Sequence, residues 1–183
     1  LFAEAMRRSA MGLVGDATLI SKVYFPRLVV PLANVLTPSI DFVVTLVVFM
    51  VVMLLYGMLP TAGMLLLPVL FIITVLMGLA FGLWLGPINV RFRDVTHTMP
   101  LLIQLWMYAT PIVYPLSMIP ERWQAIYSIN PMVGLVEAYR WALLGIGEFN
   151  GRAILIGFIV MVVILAGGLV FFKRSERAFA DII

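Results

Sequence analysis

"MLLLPVLFIITVLMGLAFGLWLGP", residues 64–87, holds no charged side chain in 24 positions. As a helix it can cross a hydrocarbon layer of about 30 Å, for which about 20 apolar residues suffice. The apolar residues run on without the polar alternation of a barrel strand. The rest of the chain is alike: of 183 residues, 63% are hydrophobic and 11% charged, with a mean hydropathy of +1.12. Soluble domains average about 45–50% apolar and about 25% charged residues. With so few polar groups, no water-exposed fold of this size can cover its core. The solvent is lipid, and the backbone must satisfy its own hydrogen bonds in helices.

Three further stretches are long enough to span: about Pro31–Tyr56, about Met99–Met118 and about Ala153–Phe172. Gly/Pro-rich breaks separate them, "YGMLPTAG" at 56–63 and "FNGRA" at 149–153. The expected fold is an all-α polytopic membrane bundle with four full spans. "LFAEAMRRSAMGLVG" reads as the tail of a helix begun upstream, without the pattern of a cleavable signal peptide.

Lysine and arginine give direction. Arg7, Arg8, Lys22, Arg27, Arg91, Arg93, Lys173, Arg174 and Arg177 fall at one set of ends, against Arg122, Arg140 and Arg152 at the other. By the positive-inside rule the first set faces the cytoplasm. Strict alternation of the four spans gives the same answer.

Residues 119–149, "IPERWQAIYSINPMVGLVEAYRWALLGIGEF", are too polar to span and too apolar for a free loop. Pro120 and Pro131 suit helix N1 positions, the second after Asn130 as a cap. Two short helices are expected, lying on the outer leaflet or dipping into it, with Trp123, Tyr127, Tyr139 and Trp141 at the interface. Glu137 and Arg140, three apart, can pair on one face. The segment is either a plain interfacial hairpin or a re-entrant gate.

Catalytic patterns are missing. No G-x-x-x-x-G-K-[ST] and no H-E-x-x-H occurs, and the chain has no cysteine. His97 is the single histidine, read as a solvated residue at a helix start. Asp41 is the one acid deep in a span, which is costly in lipid. It is either a functional carboxylate or one bonded locally with help from Thr37 or Ser39. Neither enzyme chemistry nor a metal or nucleic-acid partner is called for.

"VYFPRLVVPLANVL" (23–36), "NVRFRDV" (89–95), "LLIQLWMYATPIVYP" (101–115), "INPMVGLVEAYRWALLG" (129–145) and "RSERAFADII" (174–183) occur in that order. Together they resemble the type-2 ABC permeases that export O-antigen, teichoic acid and capsule. The resemblance covers essentially the whole chain and implies a single transmembrane permease domain over 1–183. The four spans would be family helices three to six, with an amphipathic helix and the first spans lying upstream. It further implies a multi-pass subunit of the bacterial cytoplasmic (inner) membrane with its C-terminus in the cytoplasm. It would pair with a second copy of itself around a channel for a polyprenyl-linked glycan. ATP and Mg would be bound by a separate P-loop ATP-binding subunit, leaving this chain without cofactor.

On that likeness, residues 15–27 are the ATPase-coupling loop, with Asp16, Leu19, Ile20, Lys22, Tyr24, Phe25 and Arg27. Relatives commonly carry asparagine where Asp16 stands. Arg91, Arg93 and Asp94 form the cytoplasmic entrance. Their arginines have three open roles: holding the turn at the headgroups, contacting the ATPase, or meeting an anionic lipid-linked substrate. Channel-lining candidates are Asp41, Phe42, Phe49, Trp106, Tyr108 and Tyr114, since aromatic faces suit sugar C–H surfaces; simple packing is the alternative for the aromatics. At the outer gate stand Pro111, Pro115, Trp123, Glu137 and Arg140, the prolines expected to kink their helix. Drug or other lipid export, an ion-coupled secondary transporter using Asp41, and a membrane scaffold are the competing readings.

Overall fold

The computed structural model describes residues 1–15, 26–92, 94–112, 114, 118–127, 129–146 and 151–182. Among them every regular element is helical. α1 is Phe2–Gly15, α2 Val29–Asn34, α3 Leu36–Leu55, α4 Leu67–Phe92, α5 Val95–Ala109, α6 Glu121–Tyr127, α7 Pro131–Leu144 and α8 Gly151–Ile182. A short 3₁₀ turn, Ala62–Leu66, leads into α4.

Among the described residues three segments are long and apolar enough to span: Val29–Leu55, Ala62–Phe92 and Ile154–Glu176. The first is two helices, α2 and α3, joined at Val35. Pro38 is the cause, because it has no N–H to offer the Asn34 carbonyl. α3 ends in a Schellman turn: Gly57 sits at φ 73°, its N–H donates to Leu54 O, and Met58 N–H donates to Met53 O. A left-handed residue is required there, and glycine adopts it without a Cβ clash.

α4 is the hub. Of its span 44% is buried inside the chain, against 11% for Val29–Leu55 and 17% for Ile154–Glu176. One face joins Leu70, Ile73 and Met77 to Phe2, Met6, Met99, Met132 and Met161. Another joins Leu79 and Leu83 to Ala5, Leu13, Val30 and Phe172. Gly78, Gly82 and Gly86 recur every fourth residue and form the seat of α1. A Cβ on Gly78 would lie 2.6 Å from Ala5 Cβ, one on Gly82 would strike the Ser9 side chain, and one on Gly86 would only touch Leu13. Small residues on both helices let the backbones approach, the usual basis of helix association in lipid. The pairings also show that α1 runs parallel to α4.

This register moves two charges. Arg7 and Arg8, expected at a membrane face, precede Ser9 and so lie level with Gly82. That is about 14 Å short of Arg91 at 1.5 Å per residue.

α8 runs parallel to α4, with Gly168 beside Ala80 and Phe171 beside Trp84. Trp84 Nε1 donates to Ile164 O at 2.9 Å, and its ring stacks on Phe171 with centroids 4.9 Å apart. At the basic end Arg27 Nη1 donates to Glu176 O at 2.6 Å.

The expected span over 99–118 is corrected. α5 stops at Ala109, and its 15 residues reach about 22 Å, short of a bilayer core. Thr110 is extended at φ −109°, ψ 131°. Pro111 explains this: it excludes the α-helical region for the residue before it and removes the donor for Met107 O. The expected kink is therefore a complete break. The crossing is finished by α7, whose far end lies at Thr61, where Thr61 Oγ1 donates to Ala142 O at 2.7 Å. Two half-length helices in relay do the work of one span.

Candidate functional site

The break in α5 lies deep in the bundle. Thr110, Ile112 and Met132 share a cavity of about 310 Å³ with Phe2, Phe42, Thr74 and Trp106. Thr74 is about 27 Å along α4 from Phe92 and about 10 Å from Leu67, so the junction lies inside the outer half of the span. Backbone groups freed at such depth find no water and cost several kcal/mol each unless bonded.

Side chains satisfy them. Tyr114 OH donates to Tyr108 O at 2.9 Å. Asn130 Nδ2 donates to Ala109 O at 3.3 Å and to Thr110 Oγ1 at 2.9 Å. Arg140 Nη2 donates to Pro111 O at 3.3 Å and to Ile112 O at 3.2 Å. Its Nη1 donates to Glu137 Oε1 at 2.5 Å, so the expected pair forms and has a task beyond pairing. Asn130 also caps α7, its Oδ1 accepting from Met132 N–H at 3.1 Å, with Pro131 at N1. One asparagine thus starts α7 and closes α5. The result is a seam of carbonyls, one guanidinium and one carboxylate inside an otherwise apolar bundle. Such irregular backbone is tolerated in membranes where protein buries it or where it lines water.

The remaining outer-gate and lining candidates separate. Pro111 is fully buried at the break. Trp123 is exposed, with the Arg122 guanidinium 5.8 Å from its ring centroid. Phe42 stacks on Phe71 and meets Tyr139 edge-on. Trp106 packs against Phe2 and Phe81, and its buried Nε1 has no hydrogen-bond partner among the described residues. Phe49 and Tyr108 are exposed. Asp41 lies exposed on α3, and the local bond expected from Ser39 is absent: Ser39 Oγ donates to Val35 O at 2.7 Å instead. Pro115 lies outside the described residues.

At the basic end Arg91 and Asp94 are exposed, with the Arg91 guanidinium over the Phe92 ring at 5.2 Å. Asp94 caps α5 through its main chain, its carbonyl accepting from Thr98 N–H at 3.0 Å. Sequence reasoning missed Asn89, which is fully buried beneath this turn. Its Nδ2 donates to Ala10 O at 3.4 Å and its Oδ1 accepts from Thr96 Oγ1 at 3.1 Å, tying α1, α4 and α5. A buried amide just before two arginines was the available signal. Of the coupling-loop candidates only Arg27 is described; Asp16, Leu19, Ile20, Lys22, Tyr24 and Phe25, like Arg93 in the second loop, lie outside the described residues.

The family model for the ABC-2 type transporter matches residues 12–144, which include α2 to α7 and the seam. The chain belongs to the ABC-2 type transporter family. The O-antigen export system permease protein RfbA of Klebsiella pneumoniae is 31% identical over 183 residues, all of this chain and 70% of the relative. RfbA of Myxococcus xanthus is 36% identical over 141 residues, 76% of this chain and 54% of the relative. The inner membrane transport permease YadH of Escherichia coli K12 is 27% identical over 107 residues, 57% of this chain and 41% of that protein. Membership in the ABC-2 family selects the ABC permease over the ion-coupled transporter and the scaffold, and the α5–α7 junction becomes a feature of a multi-pass permease.

Proposed function

We propose that this chain is the transmembrane subunit of an ATP-driven exporter that moves a polyprenyl-linked polysaccharide of the O-antigen type across the cytoplasmic membrane. What carries the reading is the likeness, over all 183 residues, to a permease named for O-antigen export. Two copies form the conduit, and a separate P-loop ATPase supplies the work from the cytoplasmic side. Residues 15–27 and the Arg91–Asp94 turn receive that work. The bond from Arg27 to Glu176 O supports this, because it ties the end of the coupling segment to α8. Asn89, bonded to α1 and α5, supports a path from the turn into the bundle. Phe49 and Tyr108 are the exposed aromatics that remain available to a sugar chain, whereas Phe42 and Trp106 act through packing.

The test is deletion and complementation in the native host, with surface glycan read by antibody. Loss on deletion and recovery with the full-length gene is expected, together with co-purification of a P-loop ATPase. Unchanged surface glycan after deletion overturns the reading. Cysteine-accessibility labelling at positions 22, 91 and 122 checks the topology, the first two facing the cytoplasm and the third the opposite side.

A further inference from the structure

α1 buries Phe2, Ala5, Met6, Ser9, Ala10, Gly12 and Leu13. Its other face carries Glu4, Arg7, Arg8 and Met11, at helical spacing. Arg7 grips Glu4 with two bonds, Nε to Oε2 at 2.9 Å and Nη2 to Oε1 at 2.6 Å. Its Nη1 turns to Met11 Sδ at 3.7 Å. Arg8 reaches Glu4 Oε1 through Nε alone, at 2.7 Å. The two terminal nitrogens of Arg8 have no partner among the described residues. The three charged side chains are between 36% and 38% exposed.

Depth makes this group unusual. Ala5 stands at Gly78 and Ser9 at Gly82, so the charges lie about 15–21 Å inside the Phe92 end of α4. Charges at that level in lipid are expensive and as a rule line a water-filled cavity or find partners. Among the described residues, two guanidiniums against one carboxylate leave one positive charge uncompensated. The open fork of Arg8 has the planar, paired donors that match a phosphate.

We propose that the Glu4–Arg7–Arg8 face of α1 lines a water-filled passage and holds a phosphate-type oxyanion on the Arg8 fork, with Glu4 fixing the fork's orientation. The oxyanion belongs either to the lipid-linked cargo or to a bilayer headgroup. The first source rests on the exporter reading; the anion site itself does not.

The test uses the full-length permease, freed of native cysteines, in phosphatidylcholine proteoliposomes. Met11→Cys retains both arginines, and Val163→Cys on the exposed apolar side of α8 is the control. Membrane-impermeant, anionic methanethiosulfonate ethylsulfonate should modify Met11→Cys and spare Val163→Cys. Inorganic pyrophosphate, at about ten times its half-protecting concentration, should slow modification of Met11→Cys by about tenfold. Adding Arg8→Gln should remove that protection, and Arg8→Lys should keep part of it, which separates anion binding from misfolding. Phosphatidylglycerol and a polyprenyl pyrophosphate, added in separate arms, should protect as well, and whichever protects more strongly names the source. No reaction at Met11→Cys, in protein of normal size-exclusion profile, overturns the passage. Reaction that pyrophosphate does not slow overturns the anion site. Failure of the exporter reading would appear in the surface-glycan assay and not in these rates.

Discussion

Arg140 Nη1 stands 2.5 Å from Glu137 Oε1 while its Nη2 serves Pro111 O and Ile112 O on the far side of the break. One guanidinium thus fastens α7 to the open end of α5. Arg140→Ala leaves a half-buried carboxylate unpaired and two carbonyls unbonded, a loss of about 3–5 kcal/mol. Thermal unfolding in detergent, followed by fluorescence-detected size exclusion, should rank wild type above Arg140→Lys above Arg140→Ala. Lysine keeps the charge but lacks the fork. Adding Glu137→Gln to Arg140→Ala should cost less than the sum of the single losses, because the orphaned charge is gone.

Asn130 has two duties that substitution can separate. Asn130→Asp retains the acceptor for Met132 N–H and loses the donors to Ala109 O and Thr110 Oγ1. Asn130→Ala loses both, the cap alone being worth about 1 kcal/mol. Hydrogen exchange should find the Met132 amide protected in Asn130→Asp and labile in Asn130→Ala. Both variants should melt earlier than wild type.

The glycines under α1 should differ in tolerance. Gly82→Ala drives a methyl into Ser9 and should destabilise by about 1–3 kcal/mol, as overpacking does. Gly86→Ala adds only a van der Waals contact with Leu13, at 3.4 Å, and should stay within about 0.5 kcal/mol of wild type. The same unfolding assay reads both. If the depth of α1 sets the place of Arg7 and Arg8, Gly82→Ala should also alter labelling at Met11→Cys.

Arg91→Ala with Arg93→Ala should lower export more than it lowers membrane insertion or ATPase association. Surface glycan, membrane-fraction yield and co-purified ATPase measure the three separately. Normal export by the double variant removes the transmission role of this turn.

Much of the fold was legible because lipid imposes simple rules. Length and composition located Ala62–Phe92 and Ile154–Glu176 to within a few residues, and the Asn130–Pro131 cap and the Glu137–Arg140 pair followed from local spacing. The half-length of α5 was not legible. Residues 99–118 are apolar enough to cross, and the break at Thr110–Pro111 is tolerated only because Asn130 and Arg140, 20 and 29 positions on from those two residues, satisfy its carbonyls. Such a bond is invisible to any local pattern. Arg7 and Arg8 lie further from the Arg91 turn than their place near a helix end suggests, for a related reason: proximity to a helix end in sequence says nothing of register, which Gly78 and Gly82 decide. That glycine spacing was present in the chain, hidden inside a run that apolarity alone already explained.

A continuous helix is a stiff rod, and a twist applied at one end arrives at the other. α5 and α7 share no backbone ladder; they meet through an asparagine and an arginine. Torque entering at Val95 is delivered to Thr110 and goes no further unless those side chains hold. The junction therefore behaves as a clutch, and its grip decides whether the two halves of the crossing turn together or apart.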